Sequence, residues 1–494
     1  MTTEQSSEAA GGTATAGAAT SPSPAGGGAL AQGDFARDAG ATTLSESIRD
    51  YVQRVRGGEV GALPAVLGLL VLGVIFAAAS ERFLTVANLA NLVQQSGITV
   101  FIAMGLVFVL LLGEIDLAAG TASGACAGLM GLALTQQGDL KTALGTPTFV
   151  VVAVFMVAAV AVGVLSRLWY VVGIVGLGVV MVVLKLGTST QLGAIFVAVA
   201  AGVAIGTLTG FLIAKIGIPS FVVTLALFLG WQGVLLQFIG TGAAISTGSF
   251  DLVNKISNGN LPPLWGWVFY VVVVGGYVAY TLLRSLRRRR EGLSAEPIAL
   301  VAARAAFLAV VGALALALLN QERGPNPSVV SIKGAPYVLP IIIVFMVFWS
   351  LVLTKTRFGR YVYAVGGNAE AARRAGIDLS RIRIAAFAIG SGMAAVGGVV
   401  QASRLGSIPS DAGGGNTLLY AVAAAVIGGT SLFGGRGRAR DAVIGGLVIA
   451  MIPNGLGLVP NLPSSAIFVI TALVLLVAAS VDALSRRRAA ASSR

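Results

Sequence analysis

Long apolar runs follow one another along this chain from residue 63 onward, and they restrict its fold more than any other feature. A helix that crosses the hydrocarbon core of a bilayer needs roughly 20 mostly apolar residues, and the sequence contains about fourteen such runs. We place these spans at residues 63–80, 93–112, 117–134, 148–165, 168–185, 192–215, 219–240, 264–283, 297–319, 338–354, 382–403, 417–433, 441–460 and 463–481. The pairs 148–185 and 417–460 leave room for broken or re-entrant helices.

The composition excludes a soluble domain. Hydrophobic residues make up 56% of the 494 residues and charged residues only 11%, whereas soluble domains contain about 25% charged residues. We therefore predict an all-α, polytopic integral membrane protein, folded as a helical bundle of about fourteen spans.

The distribution of the basic residues predicts the orientation of the chain. With the N-terminus inside, about 23 Lys and Arg residues lie near cytoplasmic span ends and about 7 near external ones. An even number of spans places every large basic cluster on the same side. These clusters are Arg49 with Arg54 and Arg56, Arg284 with Arg287–Arg290, Lys355 to Arg383, Arg436 with Arg438 and Arg440, and Arg486–Arg488. We predict cytoplasmic N and C termini, and we assign the net charge of +13 to topology and anionic lipid, not to nucleic acid.

The termini differ from the apolar center in composition. Residues 1–42 are mostly small and polar and cannot bury a core, so we expect a disordered cytoplasmic tail. Within residues 43–60, Thr43 and Glu46 have the spacing of a capping box, which favours an amphipathic helix at the membrane interface; an unpacked tail is the alternative. The remaining divisions are a transmembrane domain over 61–482 and a basic cytoplasmic tail over 483–494.

Several kinds of catalytic and metal site are excluded. The chain has no histidine, and its one cysteine, Cys126, lies in an apolar run, which rules out imidazole chemistry, disulfide frameworks and cysteine metal sites. Gly429 and Gly434 have the spacing of a phosphate loop, but Gly435 and Arg436 follow them where that loop needs Lys and a hydroxyl residue. We expect no metal, cofactor or nucleotide site on this chain, although a membrane enzyme that uses carboxylates stays open.

Polar residues at membrane depth are costly and indicate function. Glu114 and Asp116 lie in a tight connection between two spans, and Asn91, Gln94 and Gln95 enter the second span. We predict that these five residues line a translocation path. The alternative for the acidic pair is a position at the cytoplasmic surface.

Glycines recur at a helical spacing in one span, at Gly202, Gly206 and Gly210. Small residues four apart allow two membrane helices to approach closely. We therefore predict that this face is a helix-packing surface.

A polar segment interrupts the apolar pattern at residues 364–377, AVGGNAEAARRAGI. Gly366 and Gly367 form a turn, Asn368 is a good N-cap, and Gly376 ends a short helix over 369–375. Glu370 lies toward the positive end of that helix dipole, and Arg373 and Arg374 lie toward the negative end. A helix this short is unstable alone, so we expect it to dock into a groove of a cytoplasmic partner.

Four motifs together resemble a known family. AVGGNAEAARRAGI, GEIDLAAG at 113–120, KIGIPSFVVTLA at 215–226 and AAAVIGGTSLFGGRGR at 423–438 are similar to permease subunits of bacterial sugar ABC importers of the ribose and xylose type, and the chain length is closest to the xylose branch. The resemblance implies a pore of two permease copies in the bacterial plasma membrane. This pore receives sugar from an extracytoplasmic sugar-binding protein, and two cytoplasmic ATPases that hold ATP and Mg drive it. It makes 355–383 the coupling segment.

Two other classes are kept as alternatives. An ion-coupled secondary transporter needs acidic residues at the midplane, and a membrane enzyme needs paired carboxylates or metal ligands. The predicted spans contain almost no carboxylates besides Glu114 and Asp116. The motif GEIDLAAG also has Ala118 and Ala119 where many relatives carry Ser-Val, so the identity of the sugar stays open, as does the choice between a homodimer and a heterodimer.

Overall fold

The computed structural model describes residues 63–291, 298–324, 326–460, 462–463 and 465–473, together with residues 476 and 480. The predicted tails at 1–42 and 483–494 and the predicted interfacial helix at 43–60 lie outside the described residues. Within the described part, helices dominate and strands are limited to two short antiparallel pairs.

The elements follow in chain order. The helices are α1 (Leu63–Ala79), α2 (Val86–Leu111), α3 (Ala119–Thr135), α4 (Leu140–Leu165), α5 (Trp169–Leu184), α6 (Gln191–Phe211), α7 (Ser220–Ile239), α8 (Asp251–Asn258), α9 (Pro263–Arg290), α10 (Ile298–Leu319), α11 (Val338–Lys355), α12 (Arg357–Gly367), α13 (Ala369–Arg374), α14 (Leu379–Leu405), α15 (Thr417–Gly428) and α16 (Ala439–Gly457). A π-helical turn, Leu212–Ile216, continues α6. The strands are β1 (Ala244–Ser246), β2 (Asn260–Leu261), β3 (Ala335–Pro336) and β4 (Ser407–Pro409), paired as β1 with β4 and β2 with β3.

The helices confirm the prediction of a polytopic helical membrane protein. Nine helices of the described residues are long and apolar enough to cross a membrane, and four shorter helices, α1, α3, α5 and α15, are also apolar. Together they match the predicted spans in order up to residue 460. The last predicted span, 463–481, is described as helix over 465–473.

Two span boundaries differ from the predicted ones for physical reasons. Helix α2 begins at Val86 instead of residue 93, because the Thr85 side chain caps it by accepting a hydrogen bond from the Asn88 amide. Two polar side chains of its first turns have partners within the protein: Asn88 pairs with Asn454, and Asn91 accepts from Arg404. Helix α15 ends at Gly428 instead of residue 433, since Gly429 adopts a φ of +118° that stops the helix.

Helices α3 and α15 both begin inside the membrane. The twelve residues of α15 are about 18 Å long, while the hydrocarbon core is about 30 Å thick. Its C-terminal Gly428 packs against Asp441 at the start of α16, the end that the basic clusters assign to the cytoplasm. A Cβ on Gly120, in the first turn of α3, would lie 3.1 Å from Leu418 Cβ in the first turn of α15. The two helix starts therefore meet at membrane depth.

Helix α14 is the center of the bundle, and its contact with α6 is very close. A Cβ placed on Gly202 would lie 2.6 Å from the Ser391 carbonyl oxygen, one on Gly210 would lie 2.7 Å from Ile384 Cα, and one on Gly206 would overlap the Phe387 backbone. In the most apolar stretch of α14, 83% of the residues are buried, against 6% in α9. Helix α9 is therefore peripheral and faces lipid.

Candidate functional site

Three sequence motifs meet at the end of the bundle that carries the basic clusters. We call this region the cytoplasmic junction and define it as residues 113–118, 363–376 and 431–438. The Gly435 amide donates a 2.9 Å hydrogen bond to the carbonyl of Leu111, the last residue of α2, and the Tyr363 hydroxyl donates one of 2.7 Å to the carbonyl of Gly437. Gly366 packs directly against the Leu111 carbonyl, a contact that leaves no room for a side chain.

The fourth motif holds the extended segment 113–118. The Ile115 amide donates to the Ser220 hydroxyl at 3.5 Å, and the Thr224 hydroxyl donates to the Ile115 carbonyl at 3.3 Å. Both partners belong to α7, within KIGIPSFVVTLA. The four motifs are far apart in sequence, but these hydrogen bonds and contacts join them into one region of the structure.

An ion pair joins this extended segment to α14. Glu114 Oε1 lies 3.1 Å from Arg383 Nε, and the side chains are 15% and 32% exposed. Asp116 is 1% exposed, and its Oδ1 accepts a hydrogen bond of 2.9 Å from the Ala118 amide at the start of α3. The carboxylate thus lies at the positive end of a helix dipole. Its other oxygen, Oδ2, is buried and has no hydrogen-bond partner among the described residues.

Helix α13 lies on the solvent-facing side of the cytoplasmic junction, and its charged side chains are exposed. Asn368 caps it by accepting a 2.9 Å hydrogen bond from the Ala371 amide. Arg373 and Arg374 both pair with Glu370, at 2.9 and 3.1 Å, and these arginine side chains are 67% and 79% exposed. Hydrogen bonds from Arg373 and Arg374 lower the pKa of Glu370, so the carboxylate stays charged. 

The boundaries of α13 are set by its flanking glycines and one buried contact. Gly366 and Gly367 end α12, and Gly376 takes up a φ of +83° just after α13. Ala372 is the buried residue of α13. The helix is therefore anchored through one small side chain while its charged residues remain available to a partner.

A cavity of about 240 Å³ lies at the opposite end of α14, between α2, α14, α15 and α16. We call it the outer cavity. Gln94 and Gln95 of α2 line it together with Gln401 and Arg404 of α14 and Tyr420 of α15. Asn91, about one turn before Gln94 and Gln95 on α2, accepts a hydrogen bond of 3.0 Å from Arg404 Nη2 of the lining.

The structure separates the predicted path residues into two groups. Asn91, Gln94 and Gln95 lie at the outer cavity, whereas Glu114 and Asp116 lie in the segment that follows the cytoplasmic end of α2. Gln94 and Leu111 are 17 residues apart on one helix, which corresponds to about 25 Å. The two groups therefore lie toward opposite ends of α2, and the structure does not bring all five residues together.

Sequence reasoning missed Gln401 and Arg404 of α14, and it placed Arg383 in the basic coupling segment without finding its contact with Glu114. They lie at the two ends of a long apolar span, where charges are ordinarily assigned to the interface. Gln401 and Arg404 are three residues apart, which puts them on one helix face. This spacing could have indicated a polar face at the end of the span. Their partners could not be read from the sequence, because they come from α2 and from the segment before α3.

Comparison with known proteins identifies the family. The family described as "Branched-chain amino acid transport system / permease component" matches residues 170–479. The chain belongs to this permease family. It is a multi-pass protein of the bacterial inner membrane, as the basic clusters and apolar helices predicted.

Full-length relatives agree with this assignment. The permease is 30% identical over 406 residues to the xylose transport system permease protein XylH of Escherichia coli (strain K12), covering 82% of this chain and 87% of the relative. It is 28% identical over 427 residues to XylH of Haemophilus influenzae, covering 86% and 96%. It is 29% identical over 441 residues to the ribose import permease protein RbsC of Escherichia coli (strain K12), covering 89% and 98%. No solved structure matches the permease.

Proposed function

We propose that the chain is the transmembrane permease subunit of an ATP-driven sugar import system, with a pentose such as xylose or a related monosaccharide as its substrate. The observation that carries this proposal is the exposed, charged helix α13 on the cytoplasmic junction. The printed names of the relatives, which concern xylose and ribose transport, support the same class. The chain is not itself an enzyme under this proposal.

The energy comes from separate cytoplasmic ATPase subunits that bind ATP and Mg. They contact the coupling segment 355–383, and α13 inserts into a groove of the ATPase as a short helix. A second copy of the permease completes the pore, and an extracytoplasmic binding protein delivers the sugar. Under this proposal the chain itself needs no cofactor or metal. Among the described residues, no group of three or more Asp, Glu, His or Cys could hold a metal ion.

The junction provides a route from the ATPase to the pore. Movement of α13 shifts α12, whose Gly366 packs on the last residue of α2. The same region holds Glu114, which pairs with Arg383 of α14 at 3.1 Å. Because α2 and α14 both line the outer cavity, a rigid shift at the junction changes the shape of that cavity. This is alternating access by small movements of packed helices.

Charge reversal on α13 tests the proposal. The double substitution Arg373→Glu with Arg374→Glu changes side chains that are mostly exposed, so membrane insertion and folding should be retained. Since the substituted face can no longer seat in the ATPase groove, ATP-dependent sugar uptake by the reconstituted complex should fall at least about tenfold, a loss of about 1.4 kcal/mol of coupling. The matched control is Arg289→Glu with Arg290→Glu, a neighbouring arginine pair at the cytoplasmic end of α9. Uptake that is unchanged by the α13 substitution contradicts the role of this helix.

A pull-down separates the proposal from an ion-coupled carrier. A cytoplasmic ATPase should copurify with the membrane-extracted chain and be lost when Glu370 and Arg373 are both changed to alanine. If no ATPase binds and vesicles that contain only this chain accumulate sugar, the protein is a secondary transporter.

A further inference from the structure

Arg404 is a partly buried cation that has no acidic partner among the described residues. Its Nη2 donates to Asn91 Oδ1 at 3.0 Å, and no ion pair joins Arg404 to an acid within the described ranges of the chain. A guanidinium has five N–H donors, and Asn91 accepts from one of them. Because withdrawing a charge from water is costly unless the charge is paired, a partly buried arginine of this kind is a candidate for binding an anion.

The outer cavity around Arg404 carries one positive charge and otherwise neutral polar groups. No Asp or Glu is among the described residues that line it. Gln401 Oε1 is buried and has no hydrogen-bond partner in the described part of the chain. The amides of Gln94, Gln95 and Gln401 can donate to and accept from hydroxyl groups. The cavity is therefore built to bind a polyhydroxylated molecule and to attract a negative charge.

Helix α15 adds a second source of positive potential. Tyr420, in its first turn, lines the cavity. The helix begins inside the membrane, and its N-cap residue Asn416 makes no side-chain hydrogen bond that would satisfy the first amides. Broken helices of transporters direct such positive ends toward anionic groups of the substrate.

We propose that the transported sugar carries a carboxylate, as hexuronic acids do, and that Arg404 binds this group at the outer cavity. The inference rests on the proposed function and names the substrate class. A guanidinium binds a carboxylate through two parallel hydrogen bonds. Within each permease copy, the described lining holds one guanidinium and no second cation, which matches the single charge of a carboxylate better than the charge of about −1.5 to −2 on a phosphate monoester. The volume of about 240 Å³ lies below the range of about 300–1,000 Å³ for drug-sized ligands, in keeping with a single sugar ring.

Three sugars provide a matched test. D-xylose, D-glucose and D-glucuronate have the same configuration at C2, C3 and C4, and they carry a hydrogen, a hydroxymethyl group and a carboxylate at the next position. Uptake of each labelled sugar is measured in proteoliposomes that contain the complete complex with its ATPase and binding protein. We expect ATP-dependent uptake of glucuronate to exceed that of glucose by about tenfold or more, the effect of a charge-assisted hydrogen-bonded pair.

Variants assign the preference to Arg404. Arg404→Gln should reduce the glucuronate-to-glucose ratio about tenfold or more, whereas Arg404→Lys keeps the charge and should retain most of the preference. Arg82→Gln, a substitution at an exposed arginine outside the cavity, should leave the ratio unchanged. Comparing a ratio within each preparation cancels differences in the amount of folded protein. The lysine variant keeps the test informative if Arg404→Gln does not fold.

The outcomes separate the inference from the proposed function. Uptake of xylose or glucose at least as fast as glucuronate, with a ratio that Arg404→Gln does not change, overturns the substrate class but leaves the sugar importer intact. If none of the three sugars is taken up by a complex that hydrolyses ATP, the proposed function itself is wrong.

Discussion

The two ends of α14 carry one functional arginine each, in opposite surroundings. At the cytoplasmic end, Arg383 lies 3.1 Å from the Glu114 carboxylate, in a junction closed by backbone contacts. At the outer end, the one partner of the Arg404 side chain among the described residues is the neutral amide of Asn91 at 3.0 Å, beside a cavity of about 240 Å³. The same residue type is compensated within the protein at one end and left for a ligand at the other.

This difference indicates how work is divided along the helix. A closed end with its charges paired can transmit a displacement, since packed elements move as rigid bodies. An open end with an uncompensated charge can bind and release a ligand. The glycine-lined contact of α14 with α6 holds the helix rigidly between its two ends, so under the proposed function α14 would connect the ATPase contact to substrate binding.

The largest effect is expected where this connection is broken. The substitution Gly206→Val places a branched side chain against the Phe387 backbone, which cannot move aside as a flexible side chain could. Overpacking of this kind costs about 3 kcal/mol or more. We expect little folded protein in the membrane, measured by size-exclusion chromatography of a fluorescent fusion.

The control for this prediction is Gly173→Val. Gly173 lies on α5, and a Cβ there would meet no atom within 4 Å. This variant should give folded protein at the level of the wild type. Equal yields for the two variants would mean that the contact between α6 and α14 is not the tight one described.

A double-mutant cycle tests the closed end. Glu114→Gln and Arg383→Gln each leave a partly buried charge without its partner, so each should lower the free energy of unfolding by about 1–3 kcal/mol. The double variant should lose less than the sum of the two, because the second substitution removes the orphaned charge. Thermal unfolding in detergent measures all four proteins. Strictly additive losses would show that the ion pair does not hold the segment 113–118 to α14.

A smaller effect is expected near the outer end, at a pair of buried amides. Asn88 and Asn454 donate to each other, with both distances 3.0 Å, and so join α2 to α16. Asn88→Ala or Asn454→Ala should each destabilise by about 1 kcal/mol, the usual scale for hydrogen bonds between membrane helices. The cycle should again be non-additive. If these substitutions lower the free energy of unfolding more than the Glu114 and Arg383 substitutions do, the cytoplasmic end is not the more firmly held one.

The smallest effect is expected at an exposed ion pair that touches neither end. Lys185 Nζ lies 2.8 Å from Asp139 Oδ2, and this hydrogen bond, with those from Thr142, lowers the pKa of Asp139 to about 2. The carboxylate has an ordinary pKa of about 3.9 when unfolded, so its stabilising effect is full above about pH 4 and disappears as the pH falls toward 2. The difference in melting temperature between the wild type and Asp139→Asn should be small at pH 5 and shrink at pH 3. A difference that grows on acidification contradicts this account.

The short helix α13 and its cap could be predicted from local pattern. Asn368, Glu370 and Gly376 act within a few residues of one another, so the interactions that form the helix are written in adjacent positions. The span order was predictable for a related reason, since an apolar run of sufficient length must cross the bilayer as a helix.

The joining of these segments could not be predicted in the same way. Glu114 and Asp116 looked like equivalent residues of one path, yet Glu114 pairs with Arg383 and Asp116 caps α3. Lys185 has an acidic partner only because α4 and α5 bring Asp139 beside it. Each of these partners lies on another helix, and a single sequence contains no information about which helices are neighbours.

The amino-acid sequence by itself predicted that this protein lies in a membrane, that it is helical, which way it is oriented and where its exposed charged helix lies. These predictions follow from apolar run length, charge distribution and local capping. Only the tertiary structure decided that α3 and α15 begin inside the membrane, that four motifs form one junction, and that Arg383 has an acidic partner while Arg404 has none within the described part of the chain. The physical reason is that pairing and cavity formation depend on distances across helices, and side-chain packing sets those distances.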